Sequence, residues 1–531
     1  METIDRYLGD HDADTSTTTY YAIPYAYASR FDVPKPVDTK PGISSDKSID
    51  ASQHGPSCIN FDLPPPFDAG FSFLLGGEPI KPQSEDCLNL DVYVPDGDHK
   101  DLPVFVFTPG GGFAVGASFA YDARPLIHRS VEMGKPFIGV VLNYRLGPLG
   151  FLNPSIWEED TNLGLLDQVE ALRWIKKHIS RFGGCPDKVT ISGQSAGGES
   201  TLHQFLWTKG DLFRSAWMMS VPSSGIPFLS TEPVYNDDLV KSYAKACGCP
   251  RRESLEEAVE CLRTTDVDTV TAQSAAWEGR QTTLSGSFIR DNVFDALRAG
   301  KFPRVPVVVS MTRDDGSVQA AGFRPNNTET TSLLIQGLSA ARGLQGRKAA
   351  EFLKKMLQAY PNDPALGSPF DGRDTNYGVG RQYKRMAAIA TDTTYTEAWL
   401  EYLETFSQWT KTWGLLWEQA IEGTPPEYGV IHGSDLNYFF PTMFGEEADP
   451  RTLGHGDLVA AAQGALINFI NDGDPSGCSG GSEQSTDYHW PLYSESKQVT
   501  VMNASHIAVS VPPPHRPGFD VIHKFLRPGP L

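Results

Sequence analysis

Ser195 sits between glycines two residues to either side, in Gly193-Gln194-Ser195-Ala196-Gly197. A short apolar run, Lys188-Val189-Thr190-Ile191-Ser192, leads into it, and a helix-compatible stretch from Glu199 to Trp207 follows. Glycines at those positions let the backbone turn sharply from strand to helix without Cβ clashes, which leaves the serine hydroxyl exposed at the tip. The chemistry such a turn serves is acyl transfer through a serine nucleophile. Alone, the pentapeptide also reads as an ordinary glycine turn. Its meaning depends on an oxyanion hole, an acid and a histidine arriving in the right order.

Upstream, the apolar run Val104 to Thr108 ends in Pro109-Gly110-Gly111-Gly112-Phe113. Glycine N–H groups can approach the oxygen that becomes negative in a tetrahedral intermediate, because no side chain blocks them. A triple glycine after a buried strand is the oxyanion-loop pattern that accompanies an elbow. A flexible turn would also favour glycine. Serine is a weak nucleophile at its free pKa, so a histidine must take its proton. A carboxylate must then orient the imidazole and stabilise its cation.

The elements needed to hold such groups are legible as alternating patterns. Val104 to Thr108, Phe137 to Asn143, Val189 to Ser192, Ala216 to Ser220 and Val305 to Met311 are short, continuous apolar runs, as strands buried on both faces should be. Leu165 to Ile179 carries apolar residues at helical spacing. Alternation of this kind indicates an α/β fold with a mainly parallel sheet. Tyr395, Trp399, Tyr402, Phe406 and Trp409 recur every three or four residues, so they form one face of a helix and are read as packing. The stretch to Thr19 is polar and is expected to be loosely held. No repeat or long linker divides the 531 residues, which read as one domain.

Hydrophobic residues are 40% of the chain and charged residues 21%, enough for a large core. The net charge of −20, with no basic run, argues against a nucleic-acid partner. No stretch of about 20 apolar residues suggests a membrane span. The first residues, Met1 to Arg6, lack the pattern of a secretory signal. Two glycosylation sequons, at Asn326 and Asn503, matter only in a secreted protein.

Beyond these local readings, the chain resembles the type-B carboxylesterase family, which includes cholinesterases and fungal lipases. The matching words run in order from about residue 20 to about residue 525. They include Ile23-Pro24-Tyr25-Ala26, Glu85-Asp86-Cys87-Leu88-Asn89-Leu90, Asn143-Tyr144-Arg145-Leu146-Gly147, Phe182-Gly183-Gly184 and Gly473-Asp474-Pro475. The resemblance implies an α/β-hydrolase fold, a large mostly parallel sheet flanked by helices. Insertions around residues 60–84, 220–290 and 320–390 are then expected to line a substrate gorge. It implies Ser195 as nucleophile and, from Arg313-Asp314-Asp315-Gly316-Ser317, Asp315 as the acid, with Asp314 the alternative. It implies His432, in Gly429-Val430-Ile431-His432-Gly433, as the base. The oxyanion donors would be the N–H groups of Gly111, Gly112 and Ala196. Ser220 matches a family serine near the triad, where it would make a supporting hydrogen bond or merely cap a strand. Pro109 departs from the histidine or tyrosine many relatives carry there; it stiffens the loop entry and leaves the glycine donors in place.

Of seven cysteines, Cys58 and Cys87 match the family's first disulfide loop. Cys261 matches the end of the second, with Cys249 as partner and Cys247 as the alternative. Cys185 reads as a free structural thiol. Such bridges suit an oxidising compartment, whereas the missing signal suits the cytoplasm. The expected activity is hydrolysis of a small-molecule carboxylic ester, with no metal or organic cofactor. Its rate should fall as pH drops and the histidine protonates. An acyltransferase or lactonase using the same triad, or a non-catalytic interaction protein of the same fold, are the alternatives.

Overall fold

The structure is a computed structural model. It describes residues 7–40, 49–62, 82–158, 160–208, 211–223, 235–250, 254–277, 282–284, 288–341, 344–441, 443, 445–477, 488–512 and 516–526. Of the insertions expected to line a gorge, residues 63–81, 224–234, 251–253, 278–281, 285–287 and 342–343 lie outside the described residues, as does the seventh cysteine, Cys478.

Twelve strands form one large sheet. In chain order they are β1 (Tyr7–Asp12), β2 (Thr17–Pro24), β3 (Ile49–Ala51), β4 (Asn89–Pro95), β5 (Leu102–Thr108) and β6 (Ile138–Leu142). They continue as β7 (Gly184–Gln194), β8 (Ser215–Met219), β9 (Val307–Thr312), β10 (Thr412–Trp417), β11 (Val499–Asn503) and β12 (His506–Ser510). Their spatial order is β12-β11-β10-β9-β8-β7-β5-β6-β4-β2-β1-β3. The run from β6 through β5 and β7 to β11 is parallel, and β4, β2 and β12 pair antiparallel outside it. All five strands expected from apolar runs are present.

Alternate residues of the central strands feed two cores. Val104 and Val106 of β5, with Ala216 and Met218 of β8, pack on one face. Phe105, Phe107, Trp217 and Met219 pack on the other. Period-two side chains make this division automatic. The first face is covered by helices α2 (Leu163–His178), α3 (Ala196–Trp207) and α5 (Glu397–Ser407), the second by α1 (Arg124–Glu132) and α6 (Gly456–Asp472). Two further helices, α4 (Tyr383–Thr391) and α7 (Pro517–Leu526), pack nearby. This is the three-layer α/β architecture expected.

The expectation of a loose N-terminus is corrected: residues 7–12 and 17–24 are sheet strands. Thr17 and Thr19 are fully buried in β2, which pairs with β1 on one side and β4 on the other. Threonine is polar, but its branched Cβ fits a pleated surface, and that preference outweighed its hydroxyl. Four residues of the aromatic stripe are buried as read, whereas Trp409 is 43% exposed, with the Arg304 guanidinium 4.4 Å from its ring centre.

Chain order reverses between β5 and β7, because β6 lies on the far side of β5. In open α/β sheets the crevice at the carboxyl ends of strands at such a switch point is where ligands bind. The glycine run follows β5 and the elbow serine follows β7, so both lie there.

Candidate active site

Ser195 has φ 60° and ψ −125°, a strained combination for a residue with a Cβ. Its N–H donates to the Met219 carbonyl (3.0 Å), and its own carbonyl accepts from the Glu199 N–H (2.8 Å). The flanking glycines are steric requirements. A Cβ on Gly197 would lie 2.0 Å from the Thr108 carbonyl oxygen, and one on Gly193 would lie 2.3 Å from that of Gly197. The elbow therefore presses directly against the end of β5.

The loop after β5 curls over the same point. Gly111 (φ 124°) and Gly112 (φ 58°) adopt positive φ, and a Cβ on Gly111 would meet the Val115 carbonyl at 1.9 Å. The Gly111 carbonyl accepts from Ala114 and Val115, which fixes the turn. Tyr144 donates its hydroxyl to the Pro109 carbonyl (3.1 Å). Among the described residues, the N–H groups of Gly111, Gly112 and Ala196 have no hydrogen-bond partner.

Asp315 follows β9 and is buried. Its Oδ1 accepts from His432 Nδ1 at 2.5 Å. Its Oδ2 accepts from the Ser220 hydroxyl (2.8 Å) and the Thr312 N–H (3.0 Å). Asp314 turns the other way. Its carboxylate accepts from the Ser368 hydroxyl and the Phe370 and Val430 N–H groups, at 2.9, 2.9 and 3.0 Å. Its own N–H donates to the Val430 carbonyl (3.0 Å). Asp314 thus straps the loop that carries His432, while Asp315 reaches the ring.

With Nδ1–H given to Asp315, His432 presents the Nε2 lone pair. Gln194 Nε2 sits 3.1 Å from that nitrogen and donates to it. No hydrogen bond joins Ser195 to His432 among the described residues. The resting arrangement holds the ring with the amide beside the serine instead, and contacts of this kind commonly tighten only when substrate binds. The ring of Tyr395 lies 4.9 Å from that of His432, tilted by 38°. Tyr395 belongs to a π-helical turn, Asp392–Thr396, between α4 and α5.

Three residues from His432, Asp435 is fully buried, and neither carboxylate oxygen has a partner among the described residues. Burial pushes its carboxyl up to about 7; the neighbouring Asp315 adds to the rise and His432 opposes it.

Every predicted site residue therefore falls at the carboxyl ends of β5, β7, β8 and β9 or in the loop beyond β10. Gln194, Tyr395, Tyr144 and Asp435 were not anticipated in these roles. Gln194 adjoins the serine, and the helical spacing of the aromatic stripe reads Tyr395 as packing; only the π turn distinguishes it.

Cys58 pairs with Cys87 and Cys249 with Cys261, leaving Cys247 and Cys185 as free thiols. One set of potential metal ligands occurs among the described residues: Glu397, Glu401 and His523, with ligand atoms within 4.8 Å of one another. Arg298 already lies 3.1 Å from Glu401 there. No helix among the described residues is long and apolar enough to cross a membrane.

A model of the carboxylesterase family matches residues 7–511. Lipase 2 of Diutina rugosa is 30% identical over 494 residues, 86% of this chain and 84% of that lipase. Secreted lipase 1 of Botryotinia fuckeliana is 29% identical over 535 residues, 93% of this chain and 87% of that one. Among solved structures, EstA of Aspergillus niger matches with a TM-score of 0.77 at 22% identity, over 98% of this chain and 96% of that one. At that identity the likeness is one of fold.

Proposed function

This chain belongs to the carboxylesterase family and is a carboxylic ester hydrolase, and from that premise we propose that it works through an acyl-enzyme on Ser195. His432 Nε2 takes the hydroxyl proton as Ser195 Oγ attacks the ester carbonyl, and returns it to the departing alcohol. A water, deprotonated in the same way, then releases the acid. Asp315 holds the imidazole through Nδ1 and stabilises its cation. The N–H groups of Gly111, Gly112 and Ala196 receive the oxyanion. Loss of one such donor typically costs about a hundredfold or more in kcat. Ser220 and the Thr312 N–H fix the acid, and Asp314 fixes the histidine loop. Gln194 must give up Nε2 before the serine proton can reach it.

The observation that carries this reading is the 2.5 Å contact between Asp315 and His432 beside the strained elbow, with the runner-up Asp314 engaged elsewhere. Two disulfides, and a relative named as a secreted lipase, support an oxidising compartment. The test is turnover of a short p-nitrophenyl ester by Ser195→Ala. The expected result is loss of activity to the uncatalysed background. Retention of the wild-type rate would remove Ser195 from the mechanism.

A further inference from the structure

One turn into α3, below the elbow, lies a polar pair that the proposed ester chemistry does not use. Glu199 is 1% exposed and His203, four residues on, is fully buried. Leu202, Phe205 and Leu206 of the same helix pack in the core, and its other buried polar side chains, Ser200, Thr201 and Gln204, each have a hydrogen-bond partner. Glu199 Oε1 accepts only the Thr282 hydroxyl, at 3.2 Å, and lies 3.6 Å from His203 Nε2. Neither ring nitrogen of His203 has a hydrogen-bond partner among the described residues, and no donor among them reaches Glu199 Oε2. A buried carboxylate with one neutral donor is costly, because such a group normally collects several.

The position of the pair points to its use. Helical side chains tilt toward the helix N-terminus, so Glu199 leans back toward the turn that holds Ser195, about 6 Å away along the axis. Its charge is felt by Tyr144, which is bonded to the oxyanion loop, and by Tyr395, which lies on His432. Glu199 is therefore near enough for its charge to act on a residue at each side of the proposed reacting centre. A leaving alcohol must escape to solvent, whereas the acyl part stays anchored to the serine, so an enclosed position beneath the elbow suits the acyl chain.

We propose that Glu199, backed by His203 and Thr282, forms a polar subsite that receives a hydrogen-bond-donating group, a hydroxyl or an ammonium, on the acyl chain of the ester. This rests on Ser195 being the nucleophile. The donor would complete the carboxylate's shell through Oε2, and an alkyl chain would leave it unsatisfied. Hydrogen bonds to charged groups are strong enough to separate such substrates by about tenfold or more.

The experiment compares kcat/KM for ethyl hexanoate with its terminally hydroxylated and terminally aminated analogues, in wild type, Glu199→Gln and Glu199→Leu. Ratios within one enzyme do not depend on the fraction folded. The wild type is expected to favour at least one donor analogue by about tenfold. Glu199→Leu should abolish that advantage, and Glu199→Gln should abolish any advantage of the ammonium. A wild-type ratio of one or less for both analogues, a preference untouched by Glu199→Leu, or a preference seen only when the donor is moved to the alcohol would each overturn the proposal. Labelling of the wild type by a fluorophosphonate reports the nucleophile separately, so failure of the subsite and failure of the Ser195 mechanism are distinguishable.

Discussion

Two adjacent aspartates divide the work of the site. Asp315 gives one oxygen to His432 and the other to Ser220 and the Thr312 N–H, so the carboxylate cannot swing. Asp314 holds the histidine loop by its backbone. Asp435 is different: its carboxyl is buried and raised to about 7, above its ordinary range. A group that binds its proton more tightly when folded contributes stability below its unfolded value, and loses it as pH rises through the folded one. Asp435→Asn lacks that loss. Its stability relative to wild type should therefore increase between about pH 4 and pH 8, by on the order of a few kcal/mol. Urea unfolding at several pH values checks this, and a constant difference would show that Asp435 does not titrate in that window. Much of this scale was legible beforehand, because Ser195, Asp315 and His432 sit in short motifs. Gln194 and Tyr395 were not, because their contacts with His432 join residues that only the fold brings together.

At the scale of elements, glycines and one π turn do the positioning. Gly197 lets α3 begin against β5, and Asp392–Thr396 turns Tyr395 onto the histidine. That turn is anchored by the residue that precedes α7. Arg516 pairs with the fully buried Asp392, which also accepts the Tyr360 hydroxyl (2.8 Å). Burial still raises the Asp392 carboxyl, with Arg516 opposing the rise. Arg516→Met would strand the carboxylate, at a cost of about 3–5 kcal/mol. The double variant Arg516→Met/Asp392→Leu should recover part of the loss. Denaturant midpoints for the two proteins decide it; a single variant as stable as wild type would mean the pair contributes nothing. The buried central strands were readable as continuous apolar runs. The N-terminal strands were not, since Thr17 and Thr19 look polar until their burial is seen. The π turn leaves no mark in residue spacing.

Across the whole molecule, the sheet order explains why the groups meet. The reversal between β5 and β7 opens the crevice, and the strands beyond β7 deliver Ser220, Asp315 and the His432 loop to the same edge. Apolar alternation indicated a parallel sheet, but strand order depends on crossovers that no local pattern encodes. The two disulfides tie down Cys58 and Cys249, next to segments beyond the described residues. Both pairings followed from family likeness, since cysteine spacing alone leaves several connectivities open.

The central claim is a covalent acyl-enzyme on one serine. The most direct measurement is peptide mass spectrometry of the protein after reaction with a fluorophosphonate. The predicted result is one stoichiometric adduct on the peptide containing Ser195, absent from Ser195→Ala. An unmodified Ser195 in protein that still hydrolyses esters, or an adduct on another residue, would contradict it.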